Sequence, residues 1–114
     1  MNKPNVYIRF LKLVEVLNSK SKIRSLDSIE KHLLNRIMLD DHAGQSILVG
    51  DLLKLHLIGS QATLHGRLKN LLSIGYIQLV SQDDGRKKRV IPTKQAHQIF
   101  GALSGCMSKA VQGQ

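Results

Sequence analysis

Apolar residues recur along this chain at helical spacing in five stretches, and one segment breaks that rhythm. In 5–18, "NVYIRFLKLVEVLN", Tyr7, Phe10, Leu11, Val14 and Leu17 follow the 3.6-residue period. Ile8, Leu13 and Val16 extend the apolar surface around the cylinder, so one face can meet a core and another a partner subunit. The polar, basic "SKSKIRS" reads as a linker. A second helix begins near Asp27, where Asp27 and Glu30 have the spacing of a capping box. Its stripe is Ile29, Leu33, Leu34, Ile37 and Met38, and "DDHAGQ" ends it. A third helix is expected over 49–56, with Leu52 and Leu53 inward and Leu57 as a further inward residue. Then "IGS" interrupts. Gly59 permits a sharp turn and Ser60 can cap the next helix. That helix, "QATLHGRLKNLLSI", puts Leu64, Leu68, Leu71 and Leu72 on one face, and Gly75 stops it.

The period then changes. "YIQLV" alternates and is rich in β-formers, Asp84-Gly85 signals a turn, and "KRVI" returns as a second strand. Pro92 closes that strand, because proline cannot donate to a ladder. Thr93 can cap a last helix carrying Ala96, Ile99, Phe100, Leu103 and Met107, after which the tail frays. The order helix, short turn, helix, hairpin predicts a mainly α fold with a small β-hairpin. The expected architecture is a winged helix-turn-helix DNA-binding domain with flanking N- and C-terminal helices. Residues 1–114 form a single domain in this reading. The helix-turn-helix and wing occupy 47–92. The helices at 5–18 and 93–110 are suited to dimerisation.

Charge sharpens this picture. Seventeen Lys and Arg stand against eight Asp and Glu, a formal net charge of +9 and a pI near 10.1. From Ile58 onward eight basic residues face two acids. An excess of this kind points to nucleic acid or another anionic surface. The chain is 42% hydrophobic but only 4% aromatic, so its core must be aliphatic.

Which residues would touch DNA follows from the faces. Opposite the leucines of the fourth helix lie Gln61, Ala62, His65, Gly66 and Lys69. Gln can pair with an adenine edge, Ala can meet a thymine methyl, and Lys can reach guanine or phosphate. Ser60 and Thr63 stand in the first turn, where hydroxyls and free amides favour phosphate. Gly66 either lets a DNA backbone approach closely or relieves crowding against another helix, at about 1 kcal/mol of helix propensity relative to Ala. On the hairpin, Arg86, Lys87, Lys88 and Arg89 put four cations on roughly 13 Å of strand. Arg86 is nearest the tip and is the expected minor-groove probe. Lys88 shares its side of the strand and is expected on phosphate. Asp84 and Gly85 would shape and position the wing.

"TLHGRLKNLLSIGYIQLV" and "DGRKKRVIPT" carry a resemblance. From Leu52 to Ala96 the chain resembles the MarR family of bacterial winged-helix regulators. Asp84, Arg86, Val90 and Thr93 fall in register with the family's wing pattern. Gly85 stands where a second arginine is frequent, Pro92 where Leu is usual and Ala96 where Gly is usual. The resemblance implies that Arg86 is the wing-tip DNA arginine, that Asp84 holds the wing in place, and that Thr63 and its neighbours face the major groove. It also implies a homodimer built from the outer helices, here with only one helix after the wing.

Other chemistry is not indicated. The five histidines are scattered and Cys106 is alone, so no metal site is expected. No Gly-rich phosphate loop, nucleophile triad or paired catalytic carboxylates stand out, so no cofactor, no catalytic residue and no enzyme are expected. No signal peptide or membrane span is evident, which predicts a soluble cytoplasmic protein. The expected function is a sequence-specific, double-stranded-DNA-binding transcriptional regulator, acting as a homodimer. Two alternatives remain: a winged-helix DNA-binding module of a replication or mobile-element protein, and a protein-interaction winged helix without DNA binding. The sequence leaves open whether an unknown small-molecule effector acts on it.

Overall fold

Four helices begin where a side chain holds free amides, and α3 (Val49–Leu52), behind Leu48, has no such cap. Asn5 Oδ1 accepts from the amides of Tyr7 and Ile8 at 2.9 and 3.2 Å and opens α1 (Val6–Ser19). Asp27 and Glu30 form both halves of a capping box, with Glu30 N–H donating to Asp27 at 2.7 Å and Asp27 N–H to Glu30 at 2.9 Å. This box opens α2 (Ser28–His42). Ser60 Oγ accepts from Thr63 N–H at 3.2 Å and opens α4 (Gln61–Ile74). Thr93 Oγ1 accepts from Ala96 N–H at 3.3 Å at the start of α5 (Lys94–Gln112). Such caps are worth about 1 kcal/mol each, and they set where the elements start. The remaining elements are α3 (Val49–Leu52), β1 (Ile47–Leu48), β2 (Ile77–Ser81) and β3 (Lys88–Pro92). The computed structural model describes residues 5–81 and 87–113. The turn expected at Asp84-Gly85, and Arg86, lie outside the described residues.

Two compact units result, Leu26–Ala96 and Met1–Ser25 with His97–Gln114. In the first, the leucine stripes meet in one aliphatic core. Leu33, Leu34 and Ile37 of α2, Leu52 of α3 and Leu64, Leu68 and Leu71 of α4 are all buried, with Tyr76, Ile77, Val90 and Ala96 around them. Burial raises the Tyr76 phenol above its ordinary pKa of 10.0, because the ionised form would lose its hydration. Gly75 ends α4 at φ 97°, a left-handed conformation that costs a residue with a Cβ roughly 1–2 kcal/mol. Thr93 hydroxyl donates to Gly75 carbonyl at 2.6 Å, and Thr93 N–H to Tyr76 carbonyl at 3.0 Å, so the start of α5 is pinned to the end of α4.

The sheet has a strand that sequence periodicity did not predict. Its order is β1-β3-β2, all antiparallel, with Ile47 opposite Val90 and Leu48 opposite Arg89. Two residues are too few to show alternation. β2 and β3 pair from Ile77 opposite Pro92 to Ser81 opposite Lys88. β1 reaches only as far as Val90, so the missing N–H of Pro92 removes no bond on that side. The third helix is also shorter than expected. It ends at Leu52, and residues 53–58 continue in i→i+3 and shorter turns, such as Leu55 N–H to Leu52 carbonyl at 3.2 Å. Leu57, expected inward, is therefore carried out of the core and is fully exposed at 105%.

In the second unit α1 buries no residue, although nine of its 14 positions are apolar. Val6, Tyr7, Ile8, Leu11 and Val16 stay exposed, as do Met107 and Val111 of α5. Cys106 and Ala110 are buried, and the Arg9 guanidinium donates to the carbonyl of Ala110. No described helix is long and apolar enough to cross a membrane, and no group of three or more His, Cys, Asp or Glu among the described residues could hold a metal ion.

Candidate nucleic-acid interface

α4 is a two-faced helix. With Leu64, Leu68 and Leu71 buried, the 100° rotation per residue turns Ala62, His65 and Lys69 away from the core, while Gln61 lies in the first turn at the edge of the leucine face, and all four are exposed. Ser60, also exposed, closes the first turn with Thr63, their hydroxyl oxygens 3.0 Å apart. Gly66 borders the exposed face. A Cβ placed there would meet nothing within 4 Å, so among the described residues no neighbouring helix crowds it. Of the two readings of Gly66, relief of crowding therefore has no support.

The flank of α4 between core and solvent is tied to α2. Arg67 Nε donates to Asp27 Oδ2 at 2.6 Å, and Asn70 Nδ2 donates to Glu30 Oε2 at 3.0 Å. Glu30 is completely buried. These contacts span 40 residues of sequence, and only the capping half of the pattern was visible from spacing. Among the described residues, no buried side-chain nitrogen or oxygen lacks a hydrogen-bond partner.

Beside α4 stand the strands of the wing. Lys87, Lys88 and Arg89 are exposed. Strand alternation divides them: Lys88 shares its side with the buried Val90, while Arg89 points the other way and donates to the Ser46 carbonyl at 3.1 Å. Arg89 thus fastens the wing to the residue before β1. A cleft of about 520 Å³ opens between α3 and the two long strands, with Leu48, Val49 and Leu79 in its wall and Asp51, Lys54, Lys87 and Lys88 beside them. The helix pair α3–α4 and a cation-bearing antiparallel sheet occupy one unit, in the order of a helix-turn-helix with a wing.

Solved structures share this arrangement. A point mutant of the MepR protein of Staphylococcus aureus, bound to an oligodeoxyribonucleotide, aligns over 95% of this chain and 72% of its own, at TM-score 0.67 and 16% identity. A MarR protein from Peptoclostridium difficile aligns over 94% of this chain and 62% of its own, at TM-score 0.54 and 18% identity. A MarR-like transcriptional regulator from Thermotoga maritima aligns over 98% and 81%, at TM-score 0.60 and 14% identity. The chain has the winged-helix fold of MarR-type regulators. Its three-stranded antiparallel sheet and flanking helices are those of that fold. The chain spans less than two thirds of the length of the Peptoclostridium difficile protein. No protein-family model and no curated protein matches it.

Proposed function

We propose that this chain is a sequence-specific, double-stranded-DNA-binding transcriptional regulator that acts in the cytoplasm as a homodimer. One observation carries the reading. α4 exposes Gln61 in its first turn and Ala62, His65 and Lys69 on the side away from the core, and Lys87 and Lys88 of the wing belong to the same unit. That combination suits a helix lying in the major groove while an adjacent hairpin follows the backbone. Ser60 and Thr63 would meet phosphate at the helix start. Gly66 would let the backbone of the duplex come close. Arg86 would probe the minor groove, with Asp84 and Gly85 shaping the wing tip. Arg89 would contribute charge while holding β1. MepR, which shares the fold, is seen on DNA. The homodimer is supported by the exposed apolar residues of α1 and α5, among them Tyr7 at 65% and Val111 at 72% exposure, a surface that association would cover. A small-molecule effector would find room in the cleft beside the wing.

The test is a gel shift with duplex DNA, run together with sedimentation equilibrium. The protein should sediment as a dimer and bind random duplex with a Kd of roughly 10⁻⁴–10⁻⁶ M at physiological salt. Selection from a random library should then enrich a nearly palindromic site whose halves lie about one helical turn apart. A protein that retards no duplex at any salt would overturn the reading. Gly66→Ala gives a sharper check. It should raise stability by about 0.5–1 kcal/mol, since Ala is the better helix former and the site is open. It should also weaken DNA binding. A more stable variant with unchanged affinity would remove Gly66 from the interface.

A further inference from the structure

We propose that the acidic start of α2 is a positioning clamp for α4, in which Asp27 and Glu30 set the roll of the recognition helix and thereby its base selectivity. The proposal rests on the DNA-reading role of α4 given above. Asp27 and Glu30 each use one carboxylate oxygen inside α2 and the other outside it. Asp27 Oδ1 and Glu30 Oε1 close the capping box, while Asp27 Oδ2 and Glu30 Oε2 accept from Arg67 and Asn70. The element that fixes where α2 begins therefore also fixes where α4 lies.

The need for such a device follows from the core. α4 rests on α2 through leucines, and apolar contact is non-directional. Leucine against leucine tolerates small rolls and slides. Hydrogen bonds do not, because they weaken steeply off axis. Arg67 and Asn70 are three residues apart, on one flank of α4, so they hold it at two points along its length. A slip of one residue turns Asn70 by about 100° away from Glu30. It would take the Asn70 donor from a carboxylate that is 0% exposed. The roll so fixed is the one that points Gln61, Ala62, His65 and Lys69 outward together.

The clamp residues are positioning residues, not DNA contacts, and this separates them from the lysines. Phosphate attraction is nearly indifferent to small rolls of a helix, whereas base-edge contacts are not. The experiment compares two duplexes, one selected from random DNA by the wild-type protein and one scrambled. Asn70→Ala should weaken binding to the selected duplex by about 10-fold, the size of one lost base contact, and to the scrambled duplex by less than about 2-fold. Glu30→Gln should stay within about 3-fold of wild type on both, because the Asn70 amide can turn to accept from the new donor. Should Asn70→Ala fail to fold, Arg67→Gln tests the outer, partly exposed half of the clamp in the same way. Equal losses on both duplexes, or discrimination unchanged with the clamp cut, would overturn the proposal while leaving DNA binding intact. A wild-type protein that binds neither duplex overturns both.

Discussion

Between about 50 and 200 mM salt, the affinity of the dimer for duplex DNA should fall by roughly 10³–10⁵-fold, the loss expected when 6–10 phosphates are neutralised. The charges are in place. Lys69, Lys87 and Lys88 are exposed in each protomer, so a dimer offers two sets of three, the lower end of that range. Arg86 adds to it if it reaches the duplex. The whole chain carries +9, so association should be fast and should slow as counterions screen it. The measurement is fluorescence anisotropy across a salt series, plotted as log K against log salt. Lys88→Ala, counted once per protomer, should flatten the slope by about 0.9 for each phosphate contact removed, so by about 1.8 for the dimer. A wild-type slope near zero would show that the basic excess does not act on DNA.

The second large effect concerns stability. Leu71→Ala should cost about 2–5 kcal/mol, because Leu71 is fully buried in the core beneath α4 and the walls of the cavity can relax only in part. Against a total of about 5–15 kcal/mol for a domain, that is a large share. The fall in the midpoint of urea unfolding measures it. Leu57→Ala is the control, with the same atoms removed from a fully exposed site, and should change stability by no more than about 0.5 kcal/mol. Comparable losses for the two leucines would mean that the turn after α3 packs against something in solution.

That contrast shows what the sequence made legible. Leu64, Leu68 and Leu71 are buried as their spacing predicts, because a 14-residue helix is long enough for the 3.6-residue period to stand clear of noise. Asp27 with Glu30, Ser60, Gly75 and Thr93 were legible for another reason: capping is local chemistry, settled within three or four residues. Leu57 was not legible, because whether a helix continues past Leu52 is decided by the tertiary packing of a four-residue helix, not by propensity. β1 is too short to have a period. The site divides in the same way. The faces of α4 followed from the leucines, but Arg67 and Asn70 read only as polar positions until the fold brought them to Asp27 and Glu30. For Gly66 the sequence left two readings, and the open space above it gives no support to crowding by another helix of the chain.

β1 has one more consequence. The pairs Ile47–Val90 and Leu48–Arg89 each join residues some forty apart, whereas β2 and β3 are neighbours in the chain. Closing the long loop costs more chain entropy than closing the short one, so the hairpin should form early and β1 should dock last. As the chain leaves the ribosome, Ile47 and Leu48 are synthesised long before their partner strand exists. α3 begins at the next residue, so the helix pair would reach its final pose only once β3 is in place for β1 to pair with. Folding of the DNA-reading unit would thus end with the docking of β1 on the finished hairpin.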